Sequence, residues 1–186
     1  MIDTAPRSSR VLLLPGWQDS GPAHWQSRWE SLHGHRRVEQ DDWLWPRRGD
    51  WMARLDEALL QAPEHALLVA HSLGCQLVAA WAAHSRHTGR VQAALLVAPP
   101  DTERDDMPPN LFNWRPIARR RLPFSSLMVL SSDDPYCEHD RALQMAGDWG
   151  SAVVSIGPRG HINGDSGLHD WPQGHVLLQQ LAAHSD

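Results

Sequence analysis

Acyl transfer by a serine needs three side chains: the hydroxyl, a base within hydrogen-bond reach of it, and an acid that orients the base. A serine alone is too weak an acid to attack a carbonyl at neutral pH. Two serines in this 186-residue sequence sit where a nucleophile could be. Ser72 lies in Leu67-Leu68-Val69-Ala70-His71-Ser72-Leu73-Gly74-Cys75. Ser166 lies in Gly160-His161-Ile162-Asn163-Gly164-Asp165-Ser166-Gly167, whose last four residues read like a serine-protease motif. The question is whether His161 neighbours the nucleophile or serves a serine elsewhere.

Ser72 has the setting the chemistry requires. An apolar run over 66–70 reads as a buried strand, and a helical pattern carrying Leu77, Val78 and Trp81 begins directly after the serine. A sharp strand–turn–helix of this kind holds the serine in a strained conformation with its Oγ exposed above the sheet. The positions two before and two after it must be small. Gly74 meets this, and Ala70 is the smallest departure from the usual first glycine. The helix N-terminus that follows favours developing negative charge. Ser166 lacks such support. A chymotrypsin-like reading needs two β-barrels with a histidine and an aspartate upstream, whereas this chain is short, α/β in pattern and has two cysteines. A Gly-Asp-Ser-Leu lipase motif would have leucine where Gly167 stands. Turn chemistry accounts for Ser166.

His161 then falls to Ser72 as its base. It follows a strand expected over 152–156, in the glycine-flanked loop Gly157-Pro158-Arg159-Gly160-His161. The acid comes from Ser131-Ser132-Asp133-Asp134-Pro135, after a strand over 126–131. Ser, Asp and His in that chain order, with a strand between each, is the order of α/β-hydrolases. Aligning the Asp-Pro pair common at this loop puts Asp134 in the role, with Asp133 either forming the turn or supporting the acid, and as the alternative. An oxyanion hole needs two backbone N–H groups. Leu73, after the nucleophile, supplies one; Pro15-Gly16 lets the chain turn so that Trp17 can supply the other. Of the ten tryptophans, Trp17, Trp25, Trp114 and Trp171 fall in expected strand-end loops. Packing is the ordinary role for such residues, and a pocket wall the functional one.

The elements that must position these groups alternate along the chain. Strands are expected over 10–14, 36–40, 66–70, 91–98, 126–131 and 152–156, as continuous apolar runs that fit a parallel sheet buried on both faces. Helices are expected over 50–61 (Met52, Leu55, Leu59), 138–149 (Ala142, Met145, Ala146, Trp149) and 173–184 (Val176, Leu177, Leu181). This alternation predicts a single α/β domain over 1–186: about six parallel strands with helices on both faces. Residues 99–125 break the rhythm with six of the 14 prolines and no clear strand. A long loop after a catalytic-face strand end is expected to be a lid or pocket wall.

Composition bounds the partners. Apolar residues make up 41% and charged residues 21%, ordinary for a soluble globular chain. All 17 basic residues are arginine, and a net charge of −5 argues against nucleic acid or an anionic membrane as the main partner. No segment reaches the roughly 18 apolar residues of a membrane span. Arg7 and Arg10 precede an apolar run that Pro15-Gly16 ends too early for a signal peptide. Cys75 and Cys137 give no disulfide framework, which fits the cytoplasm. The histidine pairs His33/His35 and His84/His87 lack the spacing and the cysteines of a metal site, so no metal is expected.

Leu12-Leu13-Leu14-Pro15-Gly16-Trp17-Gln18-Asp19-Ser20-Gly21-Pro22-Ala23-His24-Trp25, the Ala70–Cys75 and Ser131–Cys137 segments, and Gly160-His161-Ile162-Asn163 with Trp171-Pro172-Gln173-Gly174 together carry a resemblance over nearly the whole chain. It is to the small bacterial serine hydrolases related to the retinoblastoma-binding protein 9 group. The resemblance implies a minimal α/β-hydrolase without the first two strands of the full fold. It also implies a Ser72-Asp134-His161 triad, no cofactor, and carboxylesterase-like activity. The retinoblastoma-binding signature Leu-x-Cys-x-Glu fails at Leu77, so that partner is not carried over. The expected function is a serine hydrolase acting on a small ester or thioester. The alternative is a binding or regulatory protein that keeps the fold with little activity, against which the intact set of residues argues.

Overall fold

The structure is a computed structural model that describes residues 9–185. Arg7 and the ends of the expected span 1–186 lie outside the described residues. Six parallel strands form one sheet in the order β2-β1-β3-β4-β5-β6. They are β1 (Arg10–Leu14), β2 (Arg36–Arg37), β3 (Ala66–His71), β4 (Val91–Val97), β5 (Ser125–Leu130) and β6 (Ala152–Ser155). Among the described residues five α-helices flank the sheet: α1 (Trp25–His33), α2 (Arg48–Leu60), α3 (Leu73–His84), α4 (His139–Trp149) and α5 (Pro172–Ala183).

Side chains alternate across a strand, so each apolar run serves two cores. Leu12, Leu14, Leu68, Ala70, Leu96, Met128 and Leu130 face α2, α3 and α4, meeting Trp51, Leu55, Leu77, Trp81, Met145 and Trp149. Leu13, Val69, Leu95, Val97 and Val129 face α1 and α5, meeting Trp25, Trp29, Trp171 and Leu178. Strand order reverses between β1 and β3, with β2 outside β1 and β4 outside β3. The carboxyl ends of strands at such a switch open a crevice where ligands bind in open α/β sheets. The chain leaves β1 at Pro15 and β3 at Ser72, so both expected oxyanion donors and the expected nucleophile sit there.

The structure corrects four details. The strand expected over 36–40 pairs only at Arg36 and Arg37. Val38 still donates to the Leu13 carbonyl at 2.9 Å, after which the polar run Glu39-Gln40-Asp41-Asp42 leaves the sheet. β6 is not buried on both faces: it is an edge strand with Ala152, Val153 and Ser155 exposed. The apolar face of α5 keeps the expected Leu177 and Leu181, which pack against the core, but not Val176. Leu178 and Gly174 are buried, Gly174 lying directly under the Trp171 ring, and Val176 is exposed. Helix α1 escaped the sequence reading, since Trp25, Gln26 and Trp29 are its only buried residues.

Gly74 shows how tightly the crevice is built. A Cβ there would lie 2.2 Å from the Leu14 carbonyl oxygen, so α3 can start against β1 only with glycine at this position. Gly74→Ala is expected to destabilise the fold by more than about 3 kcal/mol, since the clash is with backbone rather than a movable side chain. The chemical-denaturation midpoint reads this. A loss below about 1 kcal/mol would show that α3 shifts freely on β1.

Candidate active site

Ser72 links β3 to α3 with φ 54° and ψ −123°, a region that non-glycine residues enter only when the surroundings force them. Its amide donates to the Val97 carbonyl at 2.9 Å and its carbonyl accepts from Cys75 at 2.9 Å, which closes the turn. His161 reaches it from the loop after edge strand β6. The His161 Nε2 lies 2.7 Å from Ser72 Oγ, and His161 Nδ1 lies 2.9 Å from both carboxylate oxygens of Asp134. A carboxylate accepts only, so Nδ1 carries the proton and Nε2 is free to accept from the serine. The His161 and Asp134 side chains are only 9% and 5% exposed, which keeps water from competing for their bond.

The two aspartates part company here. Asp134 also accepts from the Tyr136 amide at 2.9 Å, which fixes its carboxylate in the loop after β5. Asp133 turns away and accepts from Ser131 Oγ and the Gly160 amide, both at 2.7 Å. Ser131 Oγ accepts in turn from the Arg159 amide at 2.9 Å. Asp133 therefore ties the loop carrying His161 to the end of β5. The Ser131 hydroxyl, and then the Gly160 amide, hold its carboxyl below the usual carboxylate range.

The expected oxyanion donors meet at the crevice. A Cβ on Gly16 would stand 2.8 Å from Ser72 Cβ and 3.2 Å from the Leu73 nitrogen, so the Gly16–Trp17 peptide lies against the turn. Leu73 opens α3, where the amide has no intrahelical partner. The Trp17 amide makes no backbone hydrogen bond among the described residues. Trp17 and Leu73 both line the cavity over Ser72.

A cavity of about 380 Å³ opens over Ser72. Pro100, Met107, Pro108 and Leu111 give it an apolar wall, while Gln18, Asp19 and Asn163 give polar groups. The apolar wall belongs to the proline-rich segment 99–125, which is ordered around a 3-10 helix, Pro109–Trp114. Trp114 Nε1 donates to the Pro46 carbonyl at 2.8 Å, and Asn110 Nδ2 donates to the Leu44 carbonyl at 2.6 Å. The segment is thus fastened to the loop before α2. Trp17 lines the cavity and donates from Nε1 to Leu44 at 3.0 Å. Trp25, Trp114 and Trp171 are buried at 2% exposure or less and pack in the core, outside the cavity lining.

Ser166 is far from such a role. It sits in a short 3-10 turn (Gly164–Ser166), donates to the Arg159 carbonyl at 2.6 Å and accepts from the Asn163 amide at 3.0 Å. Its hydroxyl is spent on its own loop. Sequence reasoning missed Tyr136, whose ring packs edge-on to His161 at 4.6 Å. It also missed Gln26, which buries its amide to donate to the Leu14 and Val69 carbonyls near the strand ends. Polar residues of this kind leave no periodic trace. His33, His35 and His175 stack near the surface, yet no group of three or more metal-ligating residues able to hold an ion occurs among the described residues. No described helix is long and apolar enough to cross a membrane.

A family model described as serine hydrolase matches residues 11–180. No curated protein matches the sequence. Among solved structures, a putative YdeN-like hydrolase from Pectobacterium atrosepticum is 27% identical over 96% of this chain and 91% of its own, with a TM-score of 0.81. The ydeN gene product of B. subtilis is 18% identical over 95% of this chain and 100% of its own, with a TM-score of 0.72. The esterase domain of a Rhodothermus marinus protein is 17% identical over 98% and 89%, with a TM-score of 0.70. The sheet and helices described above are therefore those of an α/β-hydrolase fold.

Proposed function

The chain belongs to the serine hydrolase family, and from that premise we propose that it cleaves a small carboxylic ester or thioester through an acyl-enzyme on Ser72. The observation that carries this reading is the 2.7 Å contact between His161 Nε2 and a serine Oγ held at φ 54°. Ser72 Oγ attacks the carbonyl carbon while His161 Nε2 takes the hydroxyl proton. The tetrahedral oxyanion is held by the Leu73 and Trp17 amides. Asp134 stabilises the imidazolium, which then gives its proton to the departing alkoxide or thiolate. Water repeats the sequence on the acyl-serine and releases the acid. The steps need no cofactor and no metal.

The cavity supports a small substrate. Met107, Pro108 and Leu111 suit an apolar acyl group, and the Gln18, Asp19 and Asn163 side suits a polar leaving group. Cys75 and Cys137 are both buried free thiols, in keeping with a cytoplasmic setting. A panel of p-nitrophenyl esters and matching thioesters of increasing acyl length tests the reading. Turnover that disappears in Ser72→Ala is expected, with a fall once the acyl group outgrows the cavity. No turnover across the panel would favour a binding protein on this fold.

Residues 99–125 act in this reading as a lid as well as a wall. Their amides are expected to exchange with solvent faster than those of β3 and β4, and to slow when Ser72 carries a bulky phosphonate. Hydrogen exchange with and without the label measures this. Unchanged rates would leave the segment a fixed wall.

A further inference from the structure

Two histidines that the triad does not use lie beneath it. Gln26 N–H donates to His24 Nδ1 at 3.1 Å, His24 Nε2 lies 3.3 Å from His71 Nδ1, and His71 Nε2 lies 2.9 Å from the His161 carbonyl oxygen. The ends of this chain fix its direction. A backbone amide can only donate, so His24 Nδ1 accepts and its proton sits on Nε2. His24 therefore donates to His71 Nδ1, which places the His71 proton on Nε2. A carbonyl can only accept, so His71 donates to His161. Every bond points the same way.

We propose that His24 and His71 form a positioning relay that fixes the main chain of His161, and with it the reach of the imidazole to Ser72. The proposal rests on the reading of His161 as the general base. His161 is followed by Ile162 at φ 49°, a buried β-branched residue in the left-handed region. Such a conformation persists only where its surroundings over-determine it. Two buried ring donors do so: His71 holds the His161 carbonyl, and Trp25 Nε1 holds the Ile162 carbonyl at 2.8 Å. The two relay histidines, His71 and His24, come from segments that also build the site. His71 precedes the nucleophile, and His24 caps α1, with both lining the cavity.

The relay has to stay neutral to work, and its surroundings keep it so. His24 and His71 are 6% and 5% exposed. Burial, then Arg37 and His161, push His24 down to about 3, and burial with the two neighbouring histidines takes His71 well below its ordinary value. A proton added to His24 Nδ1 would face the Gln26 N–H and undo the cap.

The wild-type chain carries the first test. Imidazole nitrogen shifts at neutral pH should show His24 and His71 uncharged with the proton on Nε2, and His161 with its proton on Nδ1. A His71 proton on Nδ1, or a charged His71, overturns the relay. The second test is kinetic. His71→Leu should lower kcat by about tenfold to a hundredfold with KM within about twofold, as for a misplaced catalytic group. His71→Gln, whose amide can donate to the same carbonyl, should recover most of kcat. Equal losses in both variants, or a loss confined to KM, count against the proposal. If His71→Leu does not fold, the wild-type tautomers decide. Those tautomers are independent of turnover, so their failure leaves the acyl-enzyme reading standing, and its failure leaves them standing.

Discussion

Ser72→Ala and His161→Ala should each lower kcat by about 10⁶-fold, and the double variant should fall hardly further. The reason is the single 2.7 Å contact between the two side chains. Without the base the hydroxyl is not activated, and without the hydroxyl the base has nothing to activate, so the second loss removes a step already gone. The residue of activity should remain above the uncatalysed rate, because the proposed oxyanion donors, the Leu73 and Trp17 amides, would still polarise the carbonyl. Steady-state kinetics on one activated ester measures all three variants. Losses that multiply in the double variant would show that the serine and the histidine act in separate steps.

Asp134→Asn should cost about 10⁴-fold in kcat. The amide can no longer stabilise an imidazolium, and it can offer an N–H to His161 Nδ1 that turns the ring to the wrong tautomer. Asp133→Asn should cost under about tenfold, because its Oδ1 still accepts from Ser131 and Gly160. Asp133 should show itself in stability instead. Its folded carboxyl is more acidic than the unfolded one, so the loop gains support above the unfolded value that is lost as pH falls through the folded one. Acid unfolding of Asp133→Asn should accordingly depend less on pH than that of the wild type. A deeper kinetic loss at Asp133 than at Asp134 would shift the acid by one residue.

What the sequence made legible follows from where the physics is local. The 142/145/146/149 spacing of α4 and the apolar run of β3 report burial directly, and both stand as expected. The elbow was legible because Gly74 answers a steric demand two residues from Ser72. The Asp134–His161 contact was legible through chain order, each residue following its own strand, together with the Asp-Pro pair that favours Asp134 over Asp133. The rest depends on long-range partners. Nothing near His71 announces that its proton points to residue 161, or that His24, 47 residues earlier, sets that proton. Helix α1 was hidden because only one narrow stripe, Trp25 and Trp29 with Gln26, meets the sheet. In α5 the expected Leu177 and Leu181 do pack against the core, while Val176 points outward and Leu178 takes the buried position.

Mass spectrometric mapping of a fluorophosphonate label tests the central claim most directly. The expected result is one phosphonate per chain, on the peptide bearing Ser72, lost in Ser72→Ala and unchanged in Ser166→Ala. A label on Ser166, or labelling that survives Ser72→Ala, would contradict the account.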